Sequence, residues 1–409
     1  MVMETAICKY VEEHRDDAVS MLAELVRTPS DNPPGDCAAH AERTAELLEA
    51  AGLTVERHPV PDEVVKRHGM ISATNLIVRH RFGDGPVLAL NAHGDVVPPG
   101  SGWSTDPYGG EIRDGWMYGR GAAVSKSDIA SYAFAMKALI ETGAKLDGTV
   151  ELHVTYDEEI GGHTGPGYIL SQGLSKPDYA VCAAFSYAVV TAHNGCLHLE
   201  ARIKGKSAHA AMPTTGHDAI AALGQVIGAI YDYGDSLTQR KSTFDGIDHP
   251  TCIVGLVNGG INTNVVADGA TLRIDRRITP DEDADAVEAE LREVLAECAS
   301  RLDGISIEVE RILLARPFKP VEGADFLADS IAKRACQVLG ESVGTTAVPL
   351  YTDARHYSEQ GIPTVMYGAG PRTLIEANGH RADERLPLDT LAVSSKVIAL
   401  AACDLLRAR

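Results

Sequence analysis

Apolar and polar positions along the chain fall into two periods, and these divide it into helices and strands. Residues 16–26 carry apolar side chains at helical spacing and stop at Thr28-Pro29-Ser30-Asp31-Asn32-Pro33-Pro34-Gly35, a run of turn formers. Residues 37–51 predict a second helix, closed by Gly52. Runs at 53–57, 73–79 and 86–90 predict strands, the third almost wholly apolar, as a strand covered on both faces should be. A helix is expected over 129–142, capped by Ser127 or Asp128, and further strands over 150–155 and 179–184.

The pattern changes at His193-Asn194-Gly195. Residues 197–203 alternate, a helix follows over 218–233, then strands over 251–257 and 270–276, a long amphipathic helix over 281–302 and a strand over 305–313. That order suits a small α+β sandwich. After Arg316 the α/β pattern resumes, with a helix over 326–339, a strand over 364–367 and a last helix running to Arg409. The expected architecture is therefore an α/β domain in two pieces, residues 1–194 and 315–409, interrupted by an α+β sandwich at 195–314.

Bulk properties narrow the partners. A chain of 409 residues has room for two cores, and 44% hydrophobic with 23% charged residues is ordinary for a globular protein. A net charge of −20 argues against nucleic acid or an anionic membrane, but not against a small anion held by a local Arg or His. The eight cysteines are scattered without a Cys-x-x-Cys pair, the pattern of reduced thiols. Neither a basic-then-apolar leader nor an apolar run of membrane length is seen, so the expected location is the cytoplasm.

Candidate chemistry lies where strands end. Residues 150–155 run into Tyr156-Asp157-Glu158-Glu159-Ile160-Gly161-Gly162. Three successive carboxylates repel one another and desolvate badly, unless one is a proton-transfer base and its neighbour holds a cation. The alternative is a solvated acidic loop. Residues 86–90 lead into Asn91-Ala92-His93-Gly94-Asp95, where His93 and Asp95 point to one side of an extended chain. A carboxylate so placed orients an imidazole for metal binding.

These stretches, with Gly119-Arg120-Gly121-Ala122, Gly205-Lys206-Ser207-Ala208-His209, Thr352-Asp353-Ala354-Arg355 and Gly379-His380-Arg381-Ala382-Asp383-Glu384, come in the order seen in a known family. As a set they resemble the metallopeptidases of the carboxypeptidase G, acetylornithine deacetylase, succinyl-diaminopimelate desuccinylase and aminoacylase type. The resemblance implies a zinc-peptidase-like α/β catalytic domain with an inserted lid that dimerises. It also implies Glu158 as the base that activates water, Asp95 as the group orienting His93, and His93, Glu159 and His380 as metal ligands. His209 and Asn264 would contact the substrate and polarise its carbonyl, and Arg355 would hold a substrate carboxylate.

Two positions depart from the family pattern. The bridging aspartate is expected at 124, where this chain has Val124, and a further acidic ligand near 184, where it has Ala183-Ala184-Phe185. Neither side chain coordinates a cation. The expected function is hydrolysis of an amide or related C–N bond in a small carboxylate-bearing substrate, with one divalent ion (zinc, manganese or cobalt) or none. A metal-independent acid/base lyase or isomerase on the same scaffold, and a non-catalytic binding protein, remain as alternatives.

Overall fold

The structure, a computed structural model, describes residues 2–407, and the chain separates into two compact units. The first comprises residues 1–191, 320–346 and 352–409, and the second residues 192–319 and 347–351.

The first unit is built on an eight-stranded sheet. Its strands lie in the order Val55–Pro59, Thr74–Arg81, Thr149–Thr155, Val87–His93, Tyr179–Cys182, Thr364–Met366, Val189–His193 and Thr345–Val348. The four central strands, Thr149–Thr155 to Thr364–Met366, run parallel. Every residue of Thr149–Thr155 is buried although its sequence alternates polar and apolar, and its polar side chains find partners: His153 meets Glu151 Oε2 at 2.9 Å and Tyr357 Oη at 2.8 Å. Helix Lys126–Glu141 packs on strand Val87–His93, on helix Arg15–Arg27 and on the C-terminal helix Asp389–Leu405. The last helix was expected to reach Arg409; its described part ends at Leu405, and residues 408–409 lie outside the described residues.

Several local expectations shift. Strand Val87–His93 runs three residues past Leu90, carrying His93 on its last position. Helix Lys126–Glu141 begins before Ser127 and Asp128, so neither caps it. Its start is tied down by Lys126, whose buried Nζ donates to the carbonyls of Leu25 and Thr28 at 3.0 Å each. Strand Val189–His193, not anticipated from the pattern, exists because it pairs antiparallel with Thr364–Met366.

The second unit is a four-stranded antiparallel sheet, ordered Thr251–Gly259, Gly269–Ile278, Gly195–Lys204, Ser306–Ala315. Leu197, Leu199, Ala201 and Ile203 face helices Ala219–Leu237 and Ala284–Ser300 to form its core. The intervening residues of that strand therefore point to the opposite face. Among the described residues no helix is long and apolar enough to cross a membrane.

Candidate active site at the ends of the parallel strands

In open α/β sheets the carboxyl ends of parallel strands are where ligands bind, and the candidate chemistry of the first unit gathers there. His93 ends its strand fully enclosed, with its backbone N–H on Ser125 Oγ at 3.0 Å. Its Nδ1 lies 2.9 Å from the Asp95 carbonyl and 3.3 Å from Asp95 Oδ1, leaving Nε2 to face Glu158 Oε2 at 3.9 Å. Asp95 is the keystone: Oδ1 accepts from the Glu158 amide (3.3 Å), and Oδ2 from the Glu159 amide (3.2 Å) and Asn32 Nδ2 (3.0 Å). One buried carboxylate thus orients the imidazole and both glutamates.

Glu158 and Glu159 start a single 3₁₀ turn, Glu158–Ile160, closed by Gly161 and Gly162 at φ +114° and +71°. At 162 a Cβ would also lie 2.2 Å from Asp353 Oδ1, so both backbone and space demand glycine. The Glu158 side chain is 14% exposed and Glu159 7%. Glu159 Oε1 sits 3.5 Å from Nε2 of His380, which is held at φ +61° on its loop.

Burial and crowding set the electrostatics. Burial, with Glu159, Asp353 and Asp95 nearby, raises the Glu158 carboxyl well above the usual carboxylate range, against the pull of His93. Burial opposes charge on His93, yet Glu158, Asp95 and Glu159 outweigh it and raise the imidazole above its usual range. The hydrogen bond to Glu159 raises His380 as well. Asp157 is raised by burial and then by Asp353 and Asp95. Oδ1 of Asp157 and Oδ1 of Asp353 are buried without a hydrogen-bond partner. Unpaired buried carboxylate oxygens around an imidazole are the environment that positive charge would satisfy.

Residues 89–404 match the family described as peptidase family M20/M25/M40. The chain belongs to this family. Succinyl-diaminopimelate desuccinylase of Methylocella silvestris is 28% identical over 399 residues, covering 93% of this chain and 96% of the relative. The enzyme of the same name from Rhodospirillum centenum is 25% identical over 393 residues, covering 92% and 94%. Among solved structures, an M20 metallo-carboxypeptidase from Sulfolobus solfataricus superposes with TM-score 0.77 at 18% identity, covering 94% of this chain and 98% of its own. A dinuclear metal-binding M20 peptidase from Bacillus subtilis gives 0.70 at 20% identity, covering 97% and 99%. This M20 protein is a hydrolase of amide bonds, of the amidohydrolase and peptidase type.

Against that family frame, the structure draws together His93, Asp95, Glu158, Glu159 and His380. Donor atoms of His93, Glu158 and Glu159 all lie within 4.8 Å of one another, and His380 joins through Glu159. The Val124 side chain packs against the hydrophobic core. Ala184 offers only backbone, and the carboxylate beside it belongs to Asp128: both Asp128 Oδ1 and the Ala184 amide lie against Gly368. His163 stacks on His68 at 5.0 Å, and burial lowers it to about 4.

Arg355 is buried; its guanidinium donates to the Gly161 carbonyl and meets Glu359 Oε1 at 3.3 Å, bracing the glycine turn, while its Nε is buried without a hydrogen-bond partner. Its neighbour Asp353 is the residue the sequence reading passed over. It accepts from Thr155 Oγ1 at 3.2 Å, and burial pushes it up to about 7. The signal was present, since Asp353 stands in the same four-residue motif as Arg355. His209 and Asn264 lie in the second unit, both exposed; the Ala210 amide donates to the Asn264 carbonyl at 3.1 Å, and Ala208–His209 pairs with Val265–Val266.

Asp128 gives a pH test. Burial pushes its carboxyl from 3.8 to about 7, with one bond from the Ala369 amide at 2.7 Å. A carboxyl raised on folding contributes stability fully present below its unfolded pKa and lost as pH rises through the folded one. Asp128→Asn keeps the acceptor and removes the titration. Thermal unfolding of metal-free protein should show the variant gaining on the parent between pH 4 and 8, by on the order of 2–4 kcal/mol. A gap that stays constant across that range would refute the neutral, buried carboxyl.

Proposed function

We propose that this M20 hydrolase cleaves the amide bond of a small, carboxylate-bearing N-acyl amino acid, with Glu158 moving the proton and a single divalent ion at His93, Glu159 and His380. The observation that carries the reading is the nearly buried Glu158 carboxyl facing His93 Nε2 at 3.9 Å, beside the Glu159–His380 pair at 3.5 Å. The mixed imidazole and carboxylate donors fit zinc, manganese or cobalt. Val124 and Ala184 provide no side-chain donor for a second ion in the family manner. The substrate class follows the names of the curated relatives.

Bound there, the ion supplies positive charge to the electrophile and the nucleophile. Glu158 takes a proton from water and returns it to the leaving nitrogen; its raised pKa lets it hold the proton between the two events. Asp95 keeps the Glu158 and Glu159 amides and the His93 ring in register. His209 and Asn264, exposed in the second unit, keep the carbonyl-polarising role implied by the family resemblance.

The test is amine release from N-succinyl amino acids and from dipeptides, with metal content measured before and after exhaustive chelation. About one ion per chain at this centre, lost together with turnover on chelation, is expected. Undiminished turnover at zero metal would overturn the ion's role, and failure to cleave any of these amides the substrate class. Val124→Asp adds a carboxylate at the expected bridge position, and bound metal should rise above the parent's by about one ion per chain. Unchanged stoichiometry would show that the lost bridge is not what limits the centre.

The edge strand Thr251–Gly259 exposes Ile253, Leu256 and Val257, supporting a homodimer through the inserted unit of a cytoplasmic enzyme. Light scattering on the purified protein reads this directly, and a monomeric mass excludes it.

A further inference from the structure

The second unit carries a donor cluster that the hydrolytic reading does not use. Cys196 and His198 are two apart on strand Gly195–Lys204 and so share a face, the one turned away from the helices. Asp275, on strand Gly269–Ile278, stands directly opposite His198. Cys196 Sγ lies 3.0 Å from His198 Nε2, which lies 3.0 Å from Asp275 Oδ2, and Sγ and Oδ2 are 3.9 Å apart.

Three readings of such a triangle compete. A Cys-His-Asp relay needs the thiol and the carboxylate on opposite ring nitrogens; here both meet Nε2, which excludes it. A plain hydrogen bond satisfies only one of the two contacts to Nε2, because a ring nitrogen carries a single proton or a single lone pair. A shared cation satisfies all three. Bonds of about 2.0–2.3 Å at tetrahedral angles place neighbouring S, N and O donors about 3.4–3.6 Å apart, and the observed triangle brackets that spacing.

The surroundings agree. Arg277 holds the carboxylate in place, Nε donating to Asp275 Oδ1 at 2.9 Å and Nη2 to Oδ2 at 3.2 Å, which leaves Oδ2 a second lone pair for an ion, while its guanidinium lies 5.6 Å over the Tyr351 ring. Its charge does not forbid an ion, since a thiolate and a carboxylate together cancel a divalent charge. Cys196 is buried, whereas the His198 and Asp275 side chains are 34% and 23% exposed, leaving an entry path and room for a fourth ligand. Thiolate with imidazole selects zinc-type ions over magnesium or calcium.

We propose that Cys196, His198 and Asp275 form a zinc-type site in the inserted unit, separate in its residues from the hydrolytic centre. It cross-links the two central strands of that sheet, releasing the thiol proton on binding. The proposal stands or falls independently of the amide-hydrolase reading, because the hydrolytic candidates contain no sulfur.

Cobalt(II) added to the full-length, chelator-stripped chain reads the site by its sulfur-to-metal charge-transfer absorption in the near ultraviolet. The band should rise with added cobalt, be displaced by zinc, survive His380→Ala and vanish in Cys196→Ser. His198→Ala, with far-ultraviolet circular dichroism confirming its fold, should weaken cobalt binding by more than about 100-fold, beyond what loss of an outer partner costs. Absence of the band in the parent, or its persistence in Cys196→Ser, overturns the site.

Discussion

Glu158→Gln should lower kcat by about 10²–10⁴-fold, the range a positioned proton-transfer group contributes, while the folded protein becomes more stable. The two effects have one cause. Glu158 sits among Glu159, Asp353 and Asp95, where burial, helped by these charges and opposed by His93, raises its pKa well above the usual 4.5. The native state therefore favours the neutral acid, and the associated stability is present below 4.5 and lost as pH rises through the raised pKa. Glutamine keeps the shape without the charge, so its advantage over the parent should widen with pH. Melting curves at several pH values and steady-state rates read both, and a variant retaining a tenth of parental turnover would remove Glu158 from the chemistry. A site that costs stability to keep is ordinary for an enzyme.

Arg120→Ala should cost about 3–5 kcal/mol, the penalty for breaking a buried ion pair from one side. Arg120 and Glu384 are each only 1% exposed, with Nη1 and Oε2 2.6 Å apart. Glu384 Oε1 also accepts from the amides of Ala123 (3.1 Å) and Val124 (3.2 Å), and Arg120 Nη2 donates to the Pro99 carbonyl at 3.2 Å. Without the guanidinium, Glu384 keeps two amides but no counter-charge, and burial already raises its carboxyl with Arg120 in place. The damage should reach the site, because Glu384 follows His380 on one loop, whose Asp383 Oδ1 accepts from the Ser104 amide at 2.8 Å. Chemical unfolding measures the loss. Adding Glu384→Gln should recover part of it, since the two residues act as a pair; strict additivity would show that they do not.

Much of this was legible from local pattern. Strands such as Gly195–Lys204 alternate because one face meets helices, and the run 87–90 of strand Val87–His93 is continuously apolar because both faces are covered. Where the pattern misled, the missing term was a distant partner. Strand Val189–His193 is a strand only beside Thr364–Met366. Lys126 starts its helix on carbonyls of Leu25 and Thr28, so no capping residue marks the boundary.

The site divides in the same way. His93, Asp95, Glu158, Glu159 and His380 were readable because strand ends, carboxylate runs and the spacing of a known family are written in consecutive residues, as are the losses at Val124 and Ala184. Tertiary structure alone turned Arg355 onto Gly161, set Asp353 among the buried acids, brought the Asp128 carboxylate alongside Ala184 and closed Cys196, His198 and Asp275 into a triangle. The reason is physical. Residue type fixes which donors and charges a chain owns, but which of them lose water and meet depends on segments as many as 264 residues apart packing against one another.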